Sequence, residues 1–182
     1  KVPHPEVAPT LGSQEIWEYR NKMEYTFSNK CWLTLEQLRS GEEFPDRDAA
    51  GFHIPGAFDK VLDIDRCHLQ DDLSNRLRKF IKAFGKQHGL TFYDLRNNEG
   101  FLRTLMVRIT STGEVMALMS FGEDRPDDIR ALMSAVKDEF PQITSLLYVI
   151  NTKANDTIGD LPVVTFAGKD YIEEKMEGLR FR

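Results

Sequence analysis

The sequence predicts an α+β fold: a mainly antiparallel mixed sheet with two covering helices and one β-α-β crossover. Three patterns point there. Short stretches alternate apolar and polar residues with period two; two longer stretches carry apolar residues at helical spacing; and the second of these lies between two apolar, strand-like runs. With 182 residues, of which 41% are hydrophobic and 29% charged, the chain can bury one sizeable core, which excludes the disordered and fibrous classes.

The first strand signal is "YRNKMEYTFSNK", Tyr19 to Lys30. Period two puts Tyr19, Asn21, Met23, Tyr25 and Phe27 on one face, expected to be buried, and Arg20, Lys22, Glu24, Thr26 and Ser28 on the other. The polar "LRSGEEFPDRDAAG" reads as a loop, and "GFHIPGAFDKVLDIDRC" as two short strands, Gly51 to Ile54 and Lys60 to Ile64, around a Pro-Gly turn. The first helix is expected from about Leu73 to His88. Leu73, Leu77, Phe80, Ile81 and Phe84 form its apolar stripe, Asp71, Asp72 and Ser74 offer caps, and Gly89 offers a stop.

"FLRTLMVRIT", "STG" and "EVMALMSFG" read as a hairpin with Thr112 and Gly113 at its turn. A second helix is expected from Pro126, whose missing N–H suits a first turn, to just before Pro141. Strand 114–121, this helix and strand 143–150 then form a right-handed crossover. "LPVVTFAG", "DYIEEKM" and "GLRFR" read as short antiparallel strands.

The formal net charge is -5, yet residues 66–108 hold nine Lys or Arg against four Asp or Glu. Such clustering is the footprint of a nucleic-acid surface, and solvated helix faces produce it too. Arg96, Arg103 and Arg108 fall in this window. Arg103 shares its alternation with Leu105 and Val107, so it needs either a carboxylate such as Glu99 or a place at the sheet margin facing a ligand. After the last apolar strand, "NTKAND" places Lys153 in a polar run that suits a turn or a hydrogen-bonding loop.

No glycine-rich phosphate loop, paired-histidine zinc motif or nucleophile elbow is present, and neither central strand carries the RNA-recognition consensus. "DIDRCHLQ" brings Asp63, Asp65, Cys67 and His68 close in sequence; a metal cluster is the sharper reading, ordinary loop composition the plainer one. Two cysteines are too few for a disulfide framework. With no run of about 18 apolar residues and no cleavage signature, neither a membrane span nor a secretory signal is expected, and the default location is the cytoplasm.

"YRNKMEYTFSN", "GFHIPGAFDKVLDIDRCHLQ", "FYDLRNNEGFLRTLMVR" and "FPQITSLLYVINTKANDTI", in this order, resemble the central domain of bacterial RNA (uracil-5-)-methyltransferases that act on 23S ribosomal RNA. The resemblance covers nearly the whole chain and implies a lead-in linker over residues 1–18 and a central domain over 19–182. It implies an N-terminal RNA-binding barrel and a C-terminal Rossmann-like domain in the same polypeptide, with S-adenosylmethionine and the catalytic cysteine on the latter. The chain begins without Met and ends on the alternating "GLRFR", so it is expected to be a piece of such a protein, with no catalytic or S-adenosylmethionine-binding residue of its own.

The resemblance implies 5-methyluridine formation: a cysteine thiolate adds to C6 of uracil, C5 takes the methyl group, and the C5 proton is removed. Many relatives hold a 4Fe-4S cluster with three cysteines in a C-x5-C-x2-C run and a fourth in a segment like "DRCHL". Cys67 matches the fourth, and the three upstream ligands are missing here. Arg20, Lys22, Arg96, Arg103, Arg108 and Lys153 are the RNA-contacting candidates. The reading from a different class is a non-catalytic RNA-binding or interaction module.

Overall fold

The computed structural model describes residues 6–182. Of the expected lead-in, residues 1–5 lie outside the described residues, and 6–17 form neither helix nor strand. The elements then run β1 (Lys22–Ser28), α1 (Leu35–Arg39), β2 (Ala49–Ile54), β3 (Ala57–Asp63), α2 (Asp72–Gln87), β4 (Leu102–Ile109), β5 (Val115–Phe121), α3 (Pro126–Glu139), β6 (Ser145–Ile150), β7 (Val163–Gly168), β8 (Glu174–Met176) and β9 (Leu179–Phe181).

Seven strands form one sheet in the order β3-β2-β1-β4-β5-β6-β7, while β8 and β9 pair separately. Every neighbouring pair is antiparallel except β5 and β6, which α3 joins as the expected crossover. Helices α2 and α3 cover one face. Tyr25, Leu105, Ala117, Met119 and Leu146 meet Leu77 and Ile81 of α2 and Leu132, Met133 and Val136 of α3 in a single core. Burying a Leu or Ile side chain contributes about 1.5–3 kcal/mol, so this stripe does far more for α2 than helix propensity does.

Helix termini follow the local chemistry. Asp71 Oδ1 accepts from the Leu73 amide at 2.8 Å, and α2 ends as Gly89 takes a left-handed backbone, φ 65. Pro126 opens α3, with Asp127 and Asp128 in its first turn, where the helix dipole favours negative charge.

Three expectations need correction. The strand starts at Lys22, so Asn21 and Tyr19 are not on its buried face; Tyr19 is 62% exposed. Glu18 has a left-handed backbone (φ 54), and the amides of Glu18 and Arg20 donate to the carbonyls of His68 and Leu69. The chain thus enters the sheet along a strap, not an extended strand. A third helix, α1, was not expected; it precedes the expected loop and takes in its first two residues, Leu38 and Arg39. It buries no residue and so has no apolar stripe to read, but Thr34 and Gln37 form a reciprocal capping box that "TLEQ" does carry.

Opposite the helices, Leu118, Leu147 and Val149 lie beneath Ile158 and Leu161, so the segment after β6 folds back over the sheet. The rest of this face, around β1 and β4, carries no helix.

Candidate nucleic-acid interface

On the helix-free face, Lys22 of β1 and Arg108 of β4 are directly opposed across the antiparallel ladder. Period two sends both side chains away from the core, and Arg20 lies just before β1 on the strap. Lys22 Nζ is 2.8 Å from Glu24 Oε1, a pair exposed on both sides. Among the described residues, Arg20 and Arg108 take part in no ion pair. They line two adjoining clefts, of about 260 and 320 Å³, which share Asn21, Ile109, Thr110 and Glu174. Three of the six basic candidates therefore converge at one end of β1 and β4.

The basic window of residues 66–108 does not form a basic face. Lys79 and Lys82 on α2 pair with Asp65 at 2.5 Å and Asp63 at 2.6 Å, and Lys86 pairs with Asp46. The Lys86 ammonium hydrogen-bonds Asp46 and holds its carboxyl below the usual range. Arg78 is buried, donating to the carbonyls of Ala50 and Asp65. Acidic residues from the preceding part of the chain thus neutralise most of α2.

Arg96 lies elsewhere, at the β2–β3 end. Its Nε donates to Asp59 Oδ2 at 2.5 Å, and this bond holds the Asp59 carboxyl below its ordinary value. The guanidinium also lies over the exposed Phe58 ring, 5.4 Å from its centre.

Arg103 is 2% exposed, and its carboxylate partner is Asp156, not Glu99. A bulge between Leu102 and Thr104 lets Leu102 and Leu105 both face the helices while Arg103 turns the other way. Its Nε donates to Asp156 Oδ1 at 3.0 Å, Nη1 to the carbonyls of Asn151 (2.6 Å) and Lys153 (2.7 Å), and Nη2 to that of Asn155 (2.7 Å). Arg103 presents a loop rather than its own charge. Lys153, in that loop, pairs with Asp160 at 2.5 Å.

The "DIDRCHLQ" side chains diverge. Asp63 and Asp65 turn to Lys82 and Lys79, His68 packs under Trp17 with ring centres 5.3 Å apart, and Cys67 enters the main core at 6% exposure. Asn75 accepts from the Cys67 amide at 2.8 Å and donates to its carbonyl at 2.9 Å, fixing its backbone against α2. No group of three His, Cys, Asp or Glu suited to a metal occurs among the described residues. A 4Fe-4S cluster needs four ligands, so the described residues do not fit one by themselves.

Relatives cover this whole architecture. The chain is 50% identical over 185 residues to an uncharacterised RNA methyltransferase of Bacteroides thetaiotaomicron, and 53% identical over 187 residues to one of Porphyromonas gingivalis. Both matches include 100% of this chain. Over its whole length the chain is similar to one part of these RNA methyltransferases. It spans 41% and 40% of the length of those two relatives. The fold is similar to that of Pyrococcus abyssi tRNA (uracil-54, C5)-methyltransferase, solved in complex with S-adenosyl-L-homocysteine. That match has a TM-score of 0.64 at 21% identity and covers 93% of this chain and 36% of that one. No protein-family model matches the chain. No helix among the described residues is long and apolar enough to cross a membrane.

Two aromatic residues at the clefts escape the sequence patterns. Tyr19 follows the alternation of β1 but stands outside the strand, and Tyr171 lies in a segment whose only signal is strand-like. Neither position announces its place at a cleft, because both depend on how distant segments are pinned.

Proposed function

We propose that this chain is the central domain of an S-adenosylmethionine-dependent methyltransferase that forms 5-methyluridine in 23S ribosomal RNA in the cytoplasm, and that it positions the RNA against flanking domains of the same polypeptide. The observation that carries this reading is the match of the entire chain, at half identity, to RNA methyltransferases. The unpaired guanidiniums of Arg20 and Arg108 beside Lys22 support it, since backbone phosphates supply most of the affinity for RNA.

The chemistry explains why a positioning domain is needed. Uracil C5 is a weak nucleophile until addition at C6 makes it enolate-like, and the base must leave its stack before either atom can be reached. S-adenosylmethionine is the methyl donor. Arg20, Lys22 and Arg108 hold phosphates flanking the target, and Arg96, whose guanidinium is exposed although its partner Asp59 is buried, meets the RNA separately at the β2–β3 end. Arg103 fixes the 151–156 loop, and Lys153 contributes from within it. Cys67 enters this reading only as one thiolate of a set whose other members lie on the flanking polypeptide.

The test is methyl transfer by the whole protein to 23S ribosomal RNA transcripts, with 5-methyluridine read by mass spectrometry. 5-Methyluridine in 23S RNA is expected. Product in transfer RNA alone would overturn the substrate, and no product in any RNA would favour the non-catalytic binding module. Iron and acid-labile sulfide in the whole protein, lost in Cys67→Ala, test the cluster ligand; equal iron in both rules it out.

A further inference from the structure

Asn21, Ile109, Thr110 and Glu174 line both clefts at the end of β1 and β4, which therefore adjoin as a two-part trough. Each part has one tyrosine. Tyr19, 62% exposed, lines one part and Tyr171 the other, with the Arg182 guanidinium 4.7 Å from its ring centre and the Lys169 ammonium at 5.5 Å. Arg20 lines the part with Tyr19, and Arg108 the part with Tyr171. Aromatic faces interleaved with cations match the chemistry of an unpaired, splayed nucleotide strand.

The backbone at Tyr19 is held although the ring is exposed. The backbone on either side of it is pinned at 2.9 Å (Glu18 N–H to His68 O) and 2.8 Å (Arg20 N–H to Leu69 O). Glu18 occupies the left-handed region at φ 54, a strained conformation for a non-glycine residue that persists only where the surroundings hold it. Its neighbour Trp17 is 60% exposed and rests on His68. A solvent-exposed aromatic on a fixed backbone can offer its face to a planar ligand without ordering the chain first.

Glu18, Asp71, Asp170 and Glu174 line the trough, and these acids narrow the ligand further. Glu174 is engaged by the Ser111 amide at 2.9 Å and by its hydroxyl, which hold its carboxyl below the usual range, so it stays anionic. Asp170 carries no ion pair among the described residues. A bare phosphate would be repelled by these carboxylates. A nucleotide offers base-edge N–H donors to them and its phosphate to Arg20 or Arg108.

We propose that this trough binds unpaired nucleotides of the RNA substrate, with one base stacked on Tyr19 and the adjoining phosphate held by Arg20. This rests on the RNA methyltransferase reading and names the form of RNA that the domain grips. The experiment measures binding of the whole protein to a twelve-nucleotide oligouridine and to an RNA duplex of equal length, alongside methyl transfer. Oligouridine is expected to bind more tightly than the duplex. Tyr19→Ala should weaken oligouridine binding about 5- to 100-fold, the range for losing one stacked base, while Tyr19→Phe keeps it within about 2-fold. Because Tyr19 is exposed, a melting temperature equal to wild type confirms that Tyr19→Ala folds.

Equal affinity of Tyr19→Ala and wild type, duplex binding as tight as oligouridine, or no oligouridine binding at all would each overturn the trough. Methyl transfer with Tyr19-independent binding would overturn it while sparing the enzymatic reading. Tyr19-dependent binding without methyl transfer would support the trough and refute the enzymatic reading.

Discussion

The Arg103 guanidinium carbon lies 4.4 Å from the centre of the Tyr93 ring, and the same guanidinium gathers three backbone carbonyls and one carboxylate of the 151–156 loop. One side chain therefore fastens the segment after β6 to the helix-free face of the sheet. Lysine has neither the planar fork nor enough donors to replace it. Arg103→Lys is expected to destabilise the domain by about 2–4 kcal/mol, because carbonyls buried with it lose their partners. Urea unfolding measures this; a change within about 0.5 kcal/mol would mean that the loop holds itself.

Asp94 is a second fastening point. Its carboxylate accepts from the amides of Arg96 (2.9 Å) and Asn97 (3.2 Å) and sits 3.2 Å from Lys30 Nζ. Burial alone would raise its pKa, but these hydrogen bonds outweigh it and the pKa is lowered. A depressed carboxylate adds stability above its unfolded value, near about 3.9, and that stability is lost as pH falls through the lower folded value. Asp94→Asn should therefore lower the melting temperature at about pH 7 and flatten its decline toward about pH 3. Parallel acid limbs for the two proteins would contradict this.

Gly100 allows the chain to double back beside Asp94. Its φ is 114, and a Cβ there would lie 2.5 Å from the Phe92 carbonyl oxygen and 2.8 Å from Tyr93 Cα. Both obstacles are backbone, so neither can swing aside. Gly100→Ala is expected to cost about 2 kcal/mol or more, seen as a lower urea midpoint, whereas Gly113→Ala at an open turn should cost less.

The sequence patterns that proved legible are those in which one residue's neighbours in the chain decide its environment. Met23, Tyr25 and Phe27 alternate inward, and Leu73, Leu77 and Ile81 line α2 on its buried side, because period and burial agree. Arg103 was ambiguous because a bulge, invisible in the alternation, reverses its side. The basic window misled for a related reason: Asp46, Asp63 and Asp65 stand in the preceding part of the chain, and only the fold brings them to Lys86, Lys82 and Lys79. The candidate site was legible as residue types, Arg20, Lys22 and Arg108, but not as a place. Its location depends on the β1–β4 register and on the strap that enters β1.

This separation of paired from available cations gives the last prediction. Lys22 pairs only with Glu24, and an ion pair exposed on both sides is worth about 0–1 kcal/mol, so a phosphate can displace the carboxylate at little cost. Among the described residues, Arg108, opposite it, has no ion pair to give up. For single-stranded RNA, each neutralised phosphate contributes about 0.7 to the slope of log affinity against log salt. Replacing Lys22 and Arg108 with Gln together should therefore reduce that slope by about 1.4 in the whole protein. Lys82→Gln, which removes a half-buried cation held by Asp63 at 2.6 Å, should leave it unchanged. Salt titrations that gave both variants the same slope would return Lys22 and Arg108 to the status of solvated charges.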